Sequence, residues 1–219
     1  MALTKFNYNS FDVTPVASKA MGFNSGANGL TSISPTSMVL IKEQTASSSA
    51  TISFVDGTSD VVLDNTYPIY VFKFINIHPA DDNADLRFQC SIDTGSNYNV
   101  AMTTTSFNAW HNEGDTSTAV QYLDNEQAQG TAFENLATYV GADNDQSTSG
   151  ELWLFNPSST TFVKHYLTRF NVLTHHDYNV DEPRAGYFNT TSAIDAIQFK
   201  FDSGNIDAGT IKLYGIKDS

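Results

Sequence analysis

The run with the clearest chemical potential in this chain is His175-His176-Asp177, two imidazoles and a carboxylate in succession. All three are transition-metal ligands. Side chains adjacent on an extended backbone point to opposite faces, so the two rings are not expected to grip one ion, and the run reads as a solvated turn. His78, His111 and His165 add no recognisable zinc spacing. Asp81-Asp82-Asn83 and Asp143-Asn144-Asp145 gather the oxygens that calcium takes, without the distal bidentate Glu of a calcium-binding loop. Turn formation and loop capping explain both. No Ser lies in a G-x-S-x-G elbow. Cys90 falls on the apolar side of Leu86-Arg87-Phe88-Gln89-Cys90-Ser91-Ile92 with no evident base, which predicts a buried, unreactive thiol. Glu113, Asp115, Glu126 and Glu134 could supply the opposed carboxylates of a glycosidase, but with 24 acidic residues in the chain some pair reaches that separation by chance. The glycine-rich stretch from Gly22 to Gly29 lacks the Lys of a phosphate loop and follows no strand, so it reads as a flexible turn. The expectation is a protein that is not an enzyme and that uses no cofactor or metal.

Aromatic rings offer a different chemistry, since a saccharide face can lie on Trp or Tyr beside Asn and Asp. Four rings qualify: Trp110, Trp153, Tyr122 and Tyr187. Trp153 and Phe155 share one face of Glu151-Leu152-Trp153-Leu154-Phe155 and read as core, and Tyr187 abuts Phe188 in an apolar strand. Trp110, in Phe107-Asn108-Ala109-Trp110-His111-Asn112, is the ring whose polar context would leave it exposed to a glycan or to a protein partner.

The elements that must position these groups are strands. Ile194 to Asp202 alternates, placing Ile197, Phe199 and Phe201 opposite Gln198, Lys200 and Asp202; it turns through Ser203-Gly204-Asn205 and returns as Thr210 to Ile216, which reads as a closing hairpin. A chain ending inside a sheet is expected to have no tail carrying a targeting or lipidation signal. Upstream, the pattern predicts strands at Met38–Glu43, Ala50–Val55, Asp60–Leu63, Ile69–Ile77, Asp85–Ile92, Tyr98–Met102, Glu151–Phe155, Thr161–Leu173 and Gly186–Asn189. Ile69 to Ile77 is apolar on nearly both faces, as in a central strand covered on each side, with Lys73 reaching an edge or an acid. Asp56-Gly57-Thr58 and Asp93-Thr94-Gly95-Ser96 read as tight turns. Between Ser106 and Gly150 the pattern breaks, and one short helix is expected there: Thr131 to Glu134 as a capping box, Phe133, Leu136, Tyr139 and Val140 at helical spacing, and Gly141 as the stop.

Residues 1 to 35 show no strand period yet carry Phe6, Tyr8, Phe11, Val13, Val16, Met21, Phe23 and Leu30, too many apolar groups for a disordered linker. The expectation is an extended arm, residues 1–35, that packs on its own sandwich or on a neighbouring subunit, with Phe6, Phe11 and Phe23 as assembly contacts, followed by one domain, residues 36–219. The whole chain of 219 residues is long enough to bury a core unaided, and 15 Phe and 10 Tyr suit a sandwich. With charged residues at 16%, the polar surface must be mostly Ser, Thr and Asn. Eleven basic against 24 acidic residues, a formal charge of −13, argues against nucleic acid, whose phosphates need clustered Lys and Arg. The acids are spread rather than blocked, which favours solubility. One cysteine permits no internal disulfide. The N-terminus has no apolar core of a signal peptide, and no 18-residue apolar span occurs, so neither secretion by a cleaved signal nor a membrane partner is expected.

Two segments resemble a known family. Phe74-Ile75-Asn76-Ile77-His78-Pro79-Ala80 followed by Ala84 to Tyr98 is similar to a strand, turn and strand pattern in virion proteins of tailed bacteriophages. Ser203-Gly204-Asn205-Ile206 with Gly209-Thr210-Ile211-Lys212-Leu213-Tyr214-Gly215-Ile216 resembles the hairpin that closes many of the same proteins. The resemblance implies a jelly-roll-like sandwich on the outside of a virion, as a head decoration or a tail or fibre protein, with other virion proteins and copies of itself as partners and no catalytic residues. The chain is thus expected to be an all-β, antiparallel β-sandwich with one short helix and an N-terminal arm, acting structurally in the virion after assembly in the host cytoplasm. The competing expectation is a carbohydrate-binding module that recognises host surface glycan through the loops around Trp110.

Overall fold

From Lys164 to Leu173 the chain alternates between buried and more exposed positions, with Tyr166, Phe170 and Val172 inward and His165, Leu167 and Arg169 outward. That period of two is the geometry of a half-buried strand. A computed structural model describes residues 20–23, 30–33 and 37–217, and such strands recur throughout them. They are β1 (Ala20–Phe23), β2 (Leu30–Ile33), β3 (Met38–Thr45), β4 (Ile52–Val55), β5 (Ile69–Pro79), β6 (Ala84–Ser91), β7 (Met102–Asn112) and β8 (Thr118–Tyr122). The rest are β9 (Ala128–Gly130), β10 (Glu134–Val140), β11 (Thr148–Phe155), β12 (Lys164–Leu173), β13 (Tyr178–Phe188), β14 (Ala196–Phe201) and β15 (Ile206–Ile216). One sheet runs β3-β15-β5-β11-β12-β13-β7-β8, with β9 also paired to β7; a second runs β10-β6-β14-β4; β1 pairs β2. The pairings are antiparallel, so the chain is an all-β sandwich, as expected.

Aromatic rings hold the two layers together. Phe72 and Phe74 of the large sheet meet Phe199 of the small one edge to face at 5.4 and 5.0 Å between centroids, and Phe54 meets Phe72 at 5.3 Å. Phe88 meets Tyr166 at 5.1 Å. Such pairs add about 0.5–1.5 kcal/mol each beyond the area they bury. Cys90 is buried among them, and burial pushes its thiol well above the ordinary range.

Several expectations are corrected. The helix over Thr131–Gly141 is strand β10, paired with β6 from Glu134↔Phe88 to Val140↔Ala84 through two register shifts. Leu136, Tyr139 and Val140 fit a helical period only because those bulges break the period of two; buried Glu134 also has a cationic partner on β13, which a detached helix would not give it. The closing hairpin is an arch. β14 lies between β6 and β4 in the small sheet and β15 between β3 and β5 in the large one, so Phe199 and Leu213 enter the core from opposite layers. Asp60–Leu63 pairs with no strand; its Val61 and Leu63 plug the core from a loop held by Asp56 Oδ1, which accepts the Leu63 N–H at 2.8 Å. Tyr98–Met102 precedes the strand, which starts at Met102 and runs on to Asn112, through the stretch where the pattern was expected to break.

β5 is central, as expected, and Lys73 pairs with Glu151. Its outer face is less covered than expected: Val71 is buried, but Ile75 is 43% exposed. The two tight turns hold Gly57, Thr94 and Gly95 at positive φ, the conformation their residue types were expected to supply. The expected arm contains the β1–β2 hairpin, with Phe23 pairing Leu30. Phe6 and Phe11 lie outside the described residues.

Candidate functional site

The inward face of β7 reads Met102, Thr104, Ser106, Asn108, Trp110. After Met102 it is polar, while Phe107 points outward and is 52% exposed. This inversion of the usual pattern builds a polar end into the sandwich. There Arg184 of β13, wholly buried, donates from Nη1 to Glu134 Oε1 at 2.8 Å and from Nη2 to Glu182. Glu182 Oε2 also accepts from the Thr138 backbone N–H at 3.1 Å and hydroxyl at 2.9 Å, and Glu134 Oε2 accepts from Thr104 at 3.2 Å. Burial raises the Glu134 carboxyl above the ordinary range, and Arg184 pulls it part of the way back.

The polar face ends at a pocket of about 390 Å³ that opens at one end of the sandwich. Its walls come from the β5–β6 turn (Asn83), β7 (Asn108, Trp110), β8 (Gln121), β10 (Tyr139), the β12–β13 turn (Thr174, His175, His176) and the start of β13 (Tyr178, Val180). Each group is placed by a local feature. Register sets Trp110 opposite Val180 and Ala119, and its half-buried ring lies 5.2 Å from Tyr178 at 58°. A bulge in β10 holds Tyr139 at φ 59° with its ring 54% exposed, a backbone region that bulky side chains seldom occupy. Tyr139 is anchored by its N–H on Asp85 and by its carbonyl, which accepts the His175 N–H at 3.2 Å. The Thr174 hydroxyl accepts the N–H of Tyr178 at 3.2 Å and closes the turn.

Two polar atoms in these walls are buried without a hydrogen-bond partner, Asn108 Oδ1 and His175 Nδ1. Asn108 is only 4% exposed. Buried polar atoms are nearly always satisfied, so these two stand out, as do Ser106 Oγ, Glu126 Oε1 and Thr168 Oγ1 away from the pocket.

The structure separates the expected site residues. Trp110 lines the pocket but is half-buried rather than exposed, because Tyr178 and the core margin cover one face. Tyr122 lies on β8 with 68% exposure and does not line the pocket. Trp153 and Phe155 are not core: Leu152 and Leu154 point inward, and the two aromatics stand half-exposed on the outer face. Tyr187 is half-exposed on β13 while Phe188 is buried. His175 and His176 do not diverge, since the turn stacks their rings at 3.8 Å. Among the described residues, no three His, Cys, Asp or Glu side chains gather as a metal site. Asp81 and Asp82 cap neighbouring loops, accepting from Ser203 and from the Ala142 N–H at 3.0 Å. Glu113 and Asp115 lie in the β7–β8 turn, where Asp115 meets His111 at 3.1 Å, away from buried Glu134.

A second surface is the outer face of the large sheet. Register aligns Leu40, Tyr214, Val71, Trp153, Leu167 and Ala185 in one row across six strands. Leu40 and Leu167 at its two sides are 49% and 50% exposed. The charges beside the row are satisfied within the face: Lys212 by Glu43 at 2.8 Å, Lys73 by Glu151, and Arg169 by Asp181 at 2.7 Å. Comparison with protein-family models, with curated proteins and with solved structures returned no match.

Proposed function

We propose that this chain is a structural component of a tailed-phage virion, an exterior head-decoration or tail/fibre protein, which assembles when the N-terminal segment of one copy covers the outer sheet face of the next. The apolar row from Leu40 to Ala185 is the observation that carries this reading. It is exposed at Leu40 and Leu167 on either side of buried Val71, and its flanking charges already have partners, so covering it desolvates little unpaired charge. The β1–β2 hairpin adds support: it forms a two-stranded sheet of its own, and such a hairpin is at best marginal in water without something to pack on. Charge favours the same match. Residues 1–36 carry Lys5 and Lys19 against Asp12 alone, whereas the whole chain carries 11 basic and 24 acidic residues. The resemblance of Phe74–Tyr98 and Ser203–Ile216 to virion proteins supplies the particle.

Light scattering on the full chain and on Leu167→Asp tests the contact, and mass spectrometry of purified virions tests the location. The expected result is an oligomer that Leu167→Asp reduces to monomer with an unchanged circular dichroism spectrum, and many copies per particle. A monomeric full chain, or absence from the virion, overturns the reading.

A further inference from the structure

We infer that the pocket between Trp110, Tyr139 and Tyr178 is a binding site for a neutral saccharide ring. The inference goes beyond the assembly reading and does not depend on it, since the pocket lies at the sandwich end and the apolar row crosses the sheet face.

The argument begins with the two orphaned atoms. Asn108 Oδ1, on a side chain 4% exposed, can only accept a hydrogen bond, so its missing partner is a donor. His175 Nδ1 is the second buried atom without a partner, and an imidazole nitrogen can donate or accept as its tautomer dictates. A hydroxyl group serves both roles. Leaving a buried polar group unmade carries a cost that a ligand hydroxyl would remove.

Around these atoms the walls are rings: Trp110 at 5.2 Å from Tyr178, Tyr139 at 6.4 Å from His175, and the stacked His175–His176 pair. Ring faces cover the C–H faces of a pyranose, while Asn83 and Gln121 at the rim add amides that both donate and accept. No Asp, Glu, Lys or Arg lines the pocket, which selects against sialic or uronic acids and against phosphate. The volume of about 390 Å³ lies within the usual range for small-molecule pockets. Tyr139 keeps a strained backbone where its ring meets the pocket, and the same bulge turns its carbonyl to accept the His175 N–H, tying the two pocket walls together.

The test uses the full chain carrying Trp153→Phe, which leaves Trp110 as the one tryptophan reporter. Methyl glycosides of neutral hexoses and of N-acetylhexosamines are titrated while fluorescence is read, with adenosine and glucuronic acid as comparisons. At least one neutral glycoside should give a saturable change. Asn108→Leu should weaken that binding on the order of tenfold or more, as loss of one buried hydrogen bond predicts. The same change should leave the melting temperature equal or higher, because it deletes a polar atom with no partner in the protein. A drop in melting temperature together with unchanged binding would assign Asn108 a folding role and overturn the inference. So would silence across the neutral glycosides, or preferential binding of adenosine or glucuronic acid.

Discussion

Arg184→Met removes the cation that, among the described residues, pairs with two wholly buried carboxylates, Glu134 and Glu182. Breaking a buried ion pair from one side costs about 3–5 kcal/mol, a large share of the roughly 5–15 kcal/mol that holds a domain folded. The two acids do not lose equally. Glu182 keeps the Thr138 N–H and hydroxyl at 3.1 and 2.9 Å, whereas Glu134 keeps only the Thr104 hydroxyl at 3.2 Å. Glu134 is also already raised by burial, with Arg184 the main opposing influence, so losing Arg184 raises it further. A carboxyl raised in the folded state holds a proton that the unfolded chain releases. Its stabilising effect is complete below the ordinary Glu value of about 4.3 and disappears as pH climbs through the folded value. The variant should therefore be about 3–5 kcal/mol less stable than the parent at pH 7 and should recover as pH falls toward 5. Urea unfolding followed by circular dichroism at both pH values measures this. Adding Glu134→Gln should restore part of the loss at pH 7. A loss below about 1 kcal/mol, or one that does not shrink on acidification, would refute the account of the triad.

Phe199 touches Phe54, Phe72 and Phe74, so Phe199→Ala should cost about 3–5 kcal/mol, read as a lower urea midpoint at an unchanged slope. Asp93 is held down to about 2 by hydrogen bonds from Asn97 and Ser91, so its carbon-13 carboxyl resonance should titrate near there, and Asn97→Ala should move the midpoint up. Because that carboxyl is lowered in the folded state, its contribution is present above its ordinary value and lost as pH falls toward 2. The Cys90 thiol should stay unlabelled by a disulfide exchange reagent in native protein and react within minutes in denaturant; fast native labelling would contradict its burial.

The sandwich was legible because most strands obey the plain alternation of a half-buried sheet, as β12 and β14 do. What failed were positions decided by distant partners. β14 and β15 read as a hairpin since both alternate and a turn joins them, yet alternation carries no information on which layer a strand joins; the aromatic packing of Phe199 on Phe72 and Phe74 decides that. β10 read as a helix since its bulges shift the apolar positions off the period of two. Trp153 read as core because the strand pattern allows either face inward, and Leu152 with Leu154 won.

The pocket was only partly visible, and the reason is physical. Trp110 could be singled out by its polar neighbours and shares its strand face with Asn108, but Tyr139, His175 and Tyr178 join them from β10, the β12–β13 turn and β13, and no spacing in the chain links those three to β7. One local signal did exist. On β7 the sequence sets Thr104, Ser106 and Asn108 on one face and Phe107 on the other, so the strand turns a polar face inward. Such a face is costly unless it is paired, and Thr104 is paired through Glu134 and Arg184. Asn108, the last polar residue of that face before Trp110, is the one placed at the opening with its carbonyl oxygen unmet. Ser106 Oγ and Asn108 Oδ1 are both unmet on this face, and of the two only Asn108 reaches the pocket beside Trp110, Tyr139 and Tyr178, where a ligand hydroxyl can meet it.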